Sequence, residues 1–292
     1  MTIKLPNVPE PKRLLLEELT GQLGGIRGMA AVVLGGSYAG GTQHATSDLD
    51  IGLCYREANP FSIADVRRIA DGVSAKGPAT VTGFYEWGAW VNGGAWIFTA
   101  QGKVDFLYRN LDQVERTIAE AQHGIVQHDY GQQPAYGFYS VMYLAETQIC
   151  IPIFDPKGLI ADLKRKVDVY PPKLREKTVA ESLWSAAFTL SHARNFAAQG
   201  DIYNTAGCLT RAASSLTQAL FALNARYYLR DKQVMETLAA FPVLPDGYVK
   251  KIRRCLSRPG ENAHELVRSV EEMEQAWRSV TALPGVGYQP KY

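Results

Sequence analysis

The chain has 292 residues, 46% of them hydrophobic, with 31 basic and 29 acidic side chains and a formal net charge of +2. That length and composition can bury a sizeable core and suit two domains better than one. So even a charge argues against a dedicated nucleic-acid binder, which carries a basic excess, while leaving room for a basic patch around a triphosphate.

Residues 9 to 23 carry Leu14, Leu15, Leu16, Leu19 and Leu23 with charges between them, which predicts an amphipathic helix ended by Gly24 and Gly25. No apolar leader follows Met1 and no run of ~18 apolar residues occurs, so a cytoplasmic protein without a membrane span is expected. Met29 to Leu34 is too short for a helix and reads as a buried strand. Gly35 and Gly36 then allow a sharp turn with free amide N–H groups, and a helix starting near Ser37 would add its positive end and a hydroxyl. Such a turn can cradle a phosphate. In Ser47-Asp48-Leu49-Asp50-Ile51-Gly52-Leu53, polar and apolar residues alternate. On a strand, Asp48 and Asp50 share one face and Leu49, Ile51 and Leu53 the other. Two carboxylates held side by side repel unless a cation sits between them, and an oxygen-only set suits Mg²⁺ or Mn²⁺.

Ser62 with Asp65 opens a helix to about Ser74. Strands are predicted over Val81–Glu86, Ala95–Ala100 and Lys103–Arg109, with turns at Asn92-Gly93-Gly94 and Gln101-Gly102. Asp105 is the lone acid in the apolar stretch Val104 to Tyr108. Burying an unpaired charge is expensive, so this Asp is either solvated on an edge, paired to Arg109, or a third metal ligand facing Asp48 and Asp50. The third reading is preferred, because holding two metals about 3.5–4 Å apart takes more than two carboxylates. Asn110 caps a helix to about Gln122, and residues 123 to 137 read as a loop. Within it His123, His128 and Asp129 are polar loop groups or, less in keeping with such loops, metal or triphosphate contacts. From Phe138 onward helical patterns fill 139–150, 157–168, 173–199, 202–229, 231–240, 246–257 and 261–282. The long third and fourth of these should pack as antiparallel neighbours in a bundle. Cys54, Cys150, Cys208 and Cys255 have no CxxC spacing, which speaks against a zinc site or a disulfide framework; the first three read as small buried hydrophobes.

Gly35-Gly36-Ser37 followed by Ser47-Asp48-Leu49-Asp50 resembles the signature of the DNA polymerase β-like nucleotidyltransferase superfamily, nearest its antibiotic (aminoglycoside and lincosamide) branch. The likeness is specific over residues 34 to 109. It implies an α+β fold: a nucleotidyltransferase catalytic domain over 1–122 with a mixed sheet and flanking helices, a linker at 123–137, and a helical-bundle domain over 138–292. It implies that Gly35, Gly36 and Ser37 hold the nucleotide phosphates, that Asp48, Asp50 and Asp105 hold Mg²⁺, and that a nucleoside monophosphate passes from an NTP, with ATP expected, to a hydroxyl of a small acceptor. Trp87, Trp90, Trp96, Tyr130 and Tyr136 are candidate acceptor-pocket walls, with Trp96 the one that core packing best explains. A Glu-Trp pair in streptomycin-type adenylyltransferases supplies the general base, which falls here on Glu86; kanamycin-type enzymes place it on the helical domain, where Glu146 is the rival. A second class of function is a toxin–antitoxin or regulatory module, since Arg258 and His264 have the loose spacing of an Arg-x4–6-His ribonuclease motif. A third is an inactive nucleotide-binding protein, against which the presence of all three carboxylates argues.

Overall fold

The computed structural model describes residues 8–289. Its helices and strands are, in order, α1 Glu10–Gly24, β1 Ala31–Leu34, α2 Gly36–Gly40, β2 Leu49–Tyr55, α3 Ile63–Val73, β3 Thr80–Val81, β4 Gly94–Thr99, β5 Gly102–Asn110 and α4 Leu111–Gln122. There follow β6 His128–Asp129, β7 Phe138–Tyr139, α5 Val141–Ile149, β8 Ile151–Phe154, α6 Leu159–Val167, α7 Pro172–Ala198, α8 Ile202–Leu223, α9 Val234–Ala239, α10 Tyr248–Ser257 and α11 Ala263–Thr281. The fold is α+β, as expected: a mixed sheet with flanking helices, then a helical region. The chain divides into two compact units, one running as far as Ala119 and taking in Met142–Val169, the other comprising Glu120–Val141 and Tyr170 onward.

In the first unit six strands lie in the order β3-β4-β5-β2-β1-β8. Only β2 and β5 run parallel; the other pairs are antiparallel. One face is apolar. Val32 and Leu34 of β1, Leu49, Ile51 and Leu53 of β2, Ala95 and Ile97 of β4, and Val104, Phe106 and Tyr108 of β5 are buried there with Leu16, Leu19 and Leu23 of α1 and Val66, Ile69 and Ala70 of α3. The period of two in the strands and of three to four in the helices puts these residues on facing surfaces. The predicted cap of α3 is present, Ser62 Oγ accepting the Asp65 N–H at 3.2 Å. Asn110 Oδ1 accepts the Asp112 N–H at 2.9 Å at the start of α4.

Three expectations need correcting. The sequence reads only helices beyond Phe138, but Ile151–Phe154 forms β8, antiparallel to β1. That pairing draws α5, β8 and α6 into the sheet unit, so the units do not meet where the pattern change at 122–138 suggests. Pro152 masks the strand: proline lacks the N–H that a central strand needs, but β8 is an edge and tolerates it. Second, the loop at 123–137 is framed by a two-stranded pair, His128 opposite Tyr139 and Asp129 opposite Phe138. Third, the strand predicted to reach Glu86 stops at Val81. Residues 84–87 form a turn in which Tyr85 has φ +63°, incompatible with a strand. Phe84, which made the segment look strand-like, packs against Tyr55, Phe61 and Tyr108. In the second unit, α7 and α8 pack along each other.

Candidate functional site

The candidate residues lie on the second face of the sheet. Gly35 N–H donates to Asp50 O at 2.8 Å, where β1 ends and the turn begins. Asp50 is the register partner of Asp105 on β5, and Asp105 that of Trp96 on β4. Cross-strand partners share a face, so the turn, two carboxylates and an indole form one row across the sheet. Asp48 stands two residues before Asp50 at the mouth of β2. Gly36, at φ +58°, lies directly against Asp50: a Cβ there would fall 1.7 Å from Asp50 Oδ2. Only glycine permits that close approach. The short helix α2 follows at once, so Ser37 sits in its first turn.

Asp48 and Asp105 both lie against Lys103, whose ammonium also feels the charge of Asp50. Lys103 Nζ lies 2.8 Å from Asp105 Oδ2 and 3.8 Å from Asp48 Oδ2. Burial works against the Lys103 ammonium, but its hydrogen bond to Asp105 and the charges of Asp105, Asp48 and Asp50 outweigh that and raise its pKa. Burial likewise raises the Asp105 carboxyl above the ordinary carboxylate value, with Lys103 pulling the other way and Asp48 adding to the rise. Asp105 Oδ1 is buried with no hydrogen-bond partner. Lys103 was legible only as the polar start of a strand. Arg109, the other candidate partner of Asp105, is instead clamped to Glu146, its Nε and Nη2 each donating at 2.8 Å to one carboxylate oxygen. A second unforeseen lysine, Lys12, is buried in α1 and donates to Ser47 O and, at 3.3 Å, to Tyr38 OH. It ties the residue before Asp48 to the helix behind the sheet.

Among the described residues, no three Asp, Glu, His or Cys side chains stand close enough to form a metal cluster as they are, with Lys103 interposed. The donors nonetheless suit a hard divalent cation. They are all carboxylate oxygens, one is orphaned in the interior, and a cation already bridges two of them. Asp48, Asp50 and Asp105 could supply oxygen donors to Mg²⁺ or Mn²⁺, the set expected from the sequence.

Glu86 stands in the 84–87 turn, beyond the end of β3. It is exposed in its turn, and its Oε1 accepts the Gly83 N–H at 2.8 Å. Its charge is felt at Tyr108, whose ring belongs to the apolar face. Glu146 shares the aspartates' side of the sheet through its clamp, since Arg109 stands four residues beyond Asp105 on β5. Of the aromatics, Trp90 is buried, and Tyr130 is 76% exposed. Trp96 is not core: it is 48% exposed and stacked on Trp87 with ring centres 5.0 Å apart. His128 stacks on Tyr139 at 4.0 Å and its Nε2 contacts Tyr136 O at 2.7 Å, while His123 is exposed just after α4. Arg258 and His264 are both exposed, on either side of the α10–α11 connection. All four cysteines are free; Cys54, Cys150 and Cys255 are buried and Cys208 is half-buried. No described helix is long and apolar enough to cross a membrane.

A family described as "Domain of unknown function (DUF4037)" matches residues 140–232, less than half of the chain. No curated protein matches the sequence. A solved structure, titled as a nucleotidyltransferase-like protein from Exiguobacterium sibiricum 255-15, aligns at 12% identity with a TM-score of 0.45, covering 92% of this chain and 73% of that one.

Proposed function

We propose that this protein is a nucleotidyltransferase, transferring a nucleoside monophosphate from an NTP to a hydroxyl of a small molecule. The supporting observation is the cross-strand row: the Gly35-Gly36 turn packed on Asp50, Asp50 in register with Asp105, and Asp48 beside them. In this reading the turn amides and the Ser37 hydroxyl hold the β- and γ-phosphates, and Asp48, Asp50 and Asp105 hold Mg²⁺. Bound Mg²⁺ would lower the pKa of the attacking hydroxyl and neutralise charge on the departing pyrophosphate. In-line displacement puts the incoming hydroxyl opposite the leaving group. With the phosphate tail at the glycine end of the row, the acceptor lies at the Trp96 end, its ring face against the Trp87–Trp96 stack. The proton of that hydroxyl goes to Glu86, with Glu146, held by Arg109, as the rival base.

The test is pyrophosphate release with each NTP and a panel of hydroxylated small molecules. Asp50→Asn should abolish Mg²⁺-dependent turnover and leave the circular dichroism spectrum unchanged. Retained turnover in Asp50→Asn removes the proposal. Glu86→Gln tests the base: a loss of ~10²–10⁴-fold in turnover assigns the proton to Glu86, and an unchanged rate removes Glu86 from the mechanism.

A further inference from the structure

The helical unit contains a cavity of about 170 Å³ that nucleotidyl transfer does not require. Its walls come from α7, α8, the β6–β7 pair and the segment after α8. Helices that pack together in a bundle normally face each other with apolar stripes. Here α7 presents Thr178, Ser182 and Ser185, spaced by four and three residues, and α8 presents Ser215 and Gln218. Ser215 Oγ donates to Ser185 Oγ at 3.2 Å, which leaves the Ser185 proton to point elsewhere. Gln218 is only 5% exposed, and its Nε2 is buried with no hydrogen-bond partner. An unmet donor in the interior is destabilising, so an evolved bundle has reason to keep one only where something else satisfies it.

The apolar lining is mostly aromatic, Tyr139, Tyr170, Phe221 and Tyr228, with Val126 and Val141 beside them. Tyr139 is held flat by His128, and Tyr228 meets it edge-on with ring centres 5.7 Å apart. Tyr139 OH is in turn in contact with Ser214 Oγ at 3.2 Å, so this wall is fixed. The charged groups of the lining, Glu181, Arg226 and His128, are all exposed and stand at the mouth. A charged ligand group at the Gln218 end would have no counter-charge, and burying it unpaired is prohibitive. A dry cavity of about 150 Å³ holds a benzene ring, so this one has room for one substituted ring.

We propose that the cavity is a binding site for an uncharged, flat ring compound carrying a carbonyl-type acceptor, with the ring between the tyrosines and the acceptor on the Gln218 amide. The site lies wholly within the helical unit and stands or falls independently of nucleotidyl transfer.

The experiment is a ligand-observed NMR titration of the full chain with three probes of one size: benzamide, toluene and benzoate. Benzamide should bind saturably and at least ~10-fold more tightly than the other two. Gln218→Leu keeps the volume and removes the donor. It should weaken benzamide about tenfold and leave toluene unchanged or tighter. Ser182→Phe, at the half-exposed wall, should fill the cavity and abolish binding of all three. Thermal melts confirm that each variant folds, and if Gln218→Leu does not fold, Ser182→Phe decides. Absence of saturable benzamide binding, equal benzamide affinity in folded Gln218→Leu, undiminished binding in Ser182→Phe, or a preference for benzoate would each overturn the proposal.

Discussion

Lys103 is the most informative side chain to change, because it stands where a divalent cation would. At 2.8 Å from Asp105 Oδ2, its attraction is about 6 kcal/mol at an effective dielectric of 20. Lys103 is 31% exposed and Asp105 17%, so desolvation and side-chain ordering leave a net on the order of 1 kcal/mol. Lys103→Met removes that and leaves three like charges together. Without divalent metal the variant should melt about 2–4 °C below wild type, the shift that 1 kcal/mol produces in a unit of this size. Mg²⁺ reverses the comparison. In the wild type an entering cation must displace the ammonium; in Lys103→Met it need not. Mg²⁺ should therefore bind the variant about fivefold to tenfold more tightly. Saturating Mg²⁺ should bring its melting temperature back to within about 1 °C of wild type, since a ligand bound only by the native state stabilises it by mass action. Calorimetric melts in EDTA and in MgCl₂, with a direct Mg²⁺ titration, read both effects. If the deficit of Lys103→Met is the same with and without Mg²⁺, the ammonium and the ion do not share these carboxylates and the metal assignment is wrong.

Three other changes test the same neighbourhood. Burial raises the Asp105 pKa in the folded protein, so the protonated acid is the form favoured by folding, and this contribution is lost as pH rises from the ordinary carboxylate value of 3.8 through the raised one. In metal-free melts Asp105→Asn should accordingly gain on wild type as pH rises through that window; a difference that is flat with pH refutes it. Gly36→Ala should destabilise by more than the ~1–2 kcal/mol of a left-handed alanine, because its Cβ also displaces the Asp50 carboxylate, and Mg²⁺ binding should fall with it. A melting temperature within a degree of wild type would show that the turn is not locked onto Asp50. Glu146→Gln leaves Arg109 buried against a neutral partner and should be destabilising by about 3 kcal/mol in denaturant melts. If Glu146 serves to hold Arg109, the variant's turnover, measured where it is folded, should fall far less than in Asp50→Asn; an equal loss would make Glu146 the base.

Much of this site was legible because its constraints are local. Asp48 and Asp50 must alternate with Leu49 and Ile51 once one face of β2 is core, and an acid inside Val104–Tyr108 stands out for the same reason. Gly36 is written by a positive φ and a close approach that no other residue allows, whereas Gly35 is extended and has room for a side chain. What stayed hidden depends on partners far away in sequence. Pro152 belongs in a strand only because β8 is an edge, which nothing in Ile151-Pro-Ile-Phe announces. Glu86 looked like a strand end until Phe84 found Tyr55 and Phe61 and turned the chain. Trp96 looked like core, yet its period-two neighbours Ala95 and Ile97 already fill the apolar face and leave the indole on the aspartates' side. Lys103 carries the deeper lesson. As a charge at a strand start it says nothing, but its register, two residues before Asp105 and so on the same face, makes it the cation that keeps the acidic row folded. If the proposed metal binds this row, the ion and the ammonium compete for the same carboxylates, and a long lysine side chain, anchored at one end only, can give way.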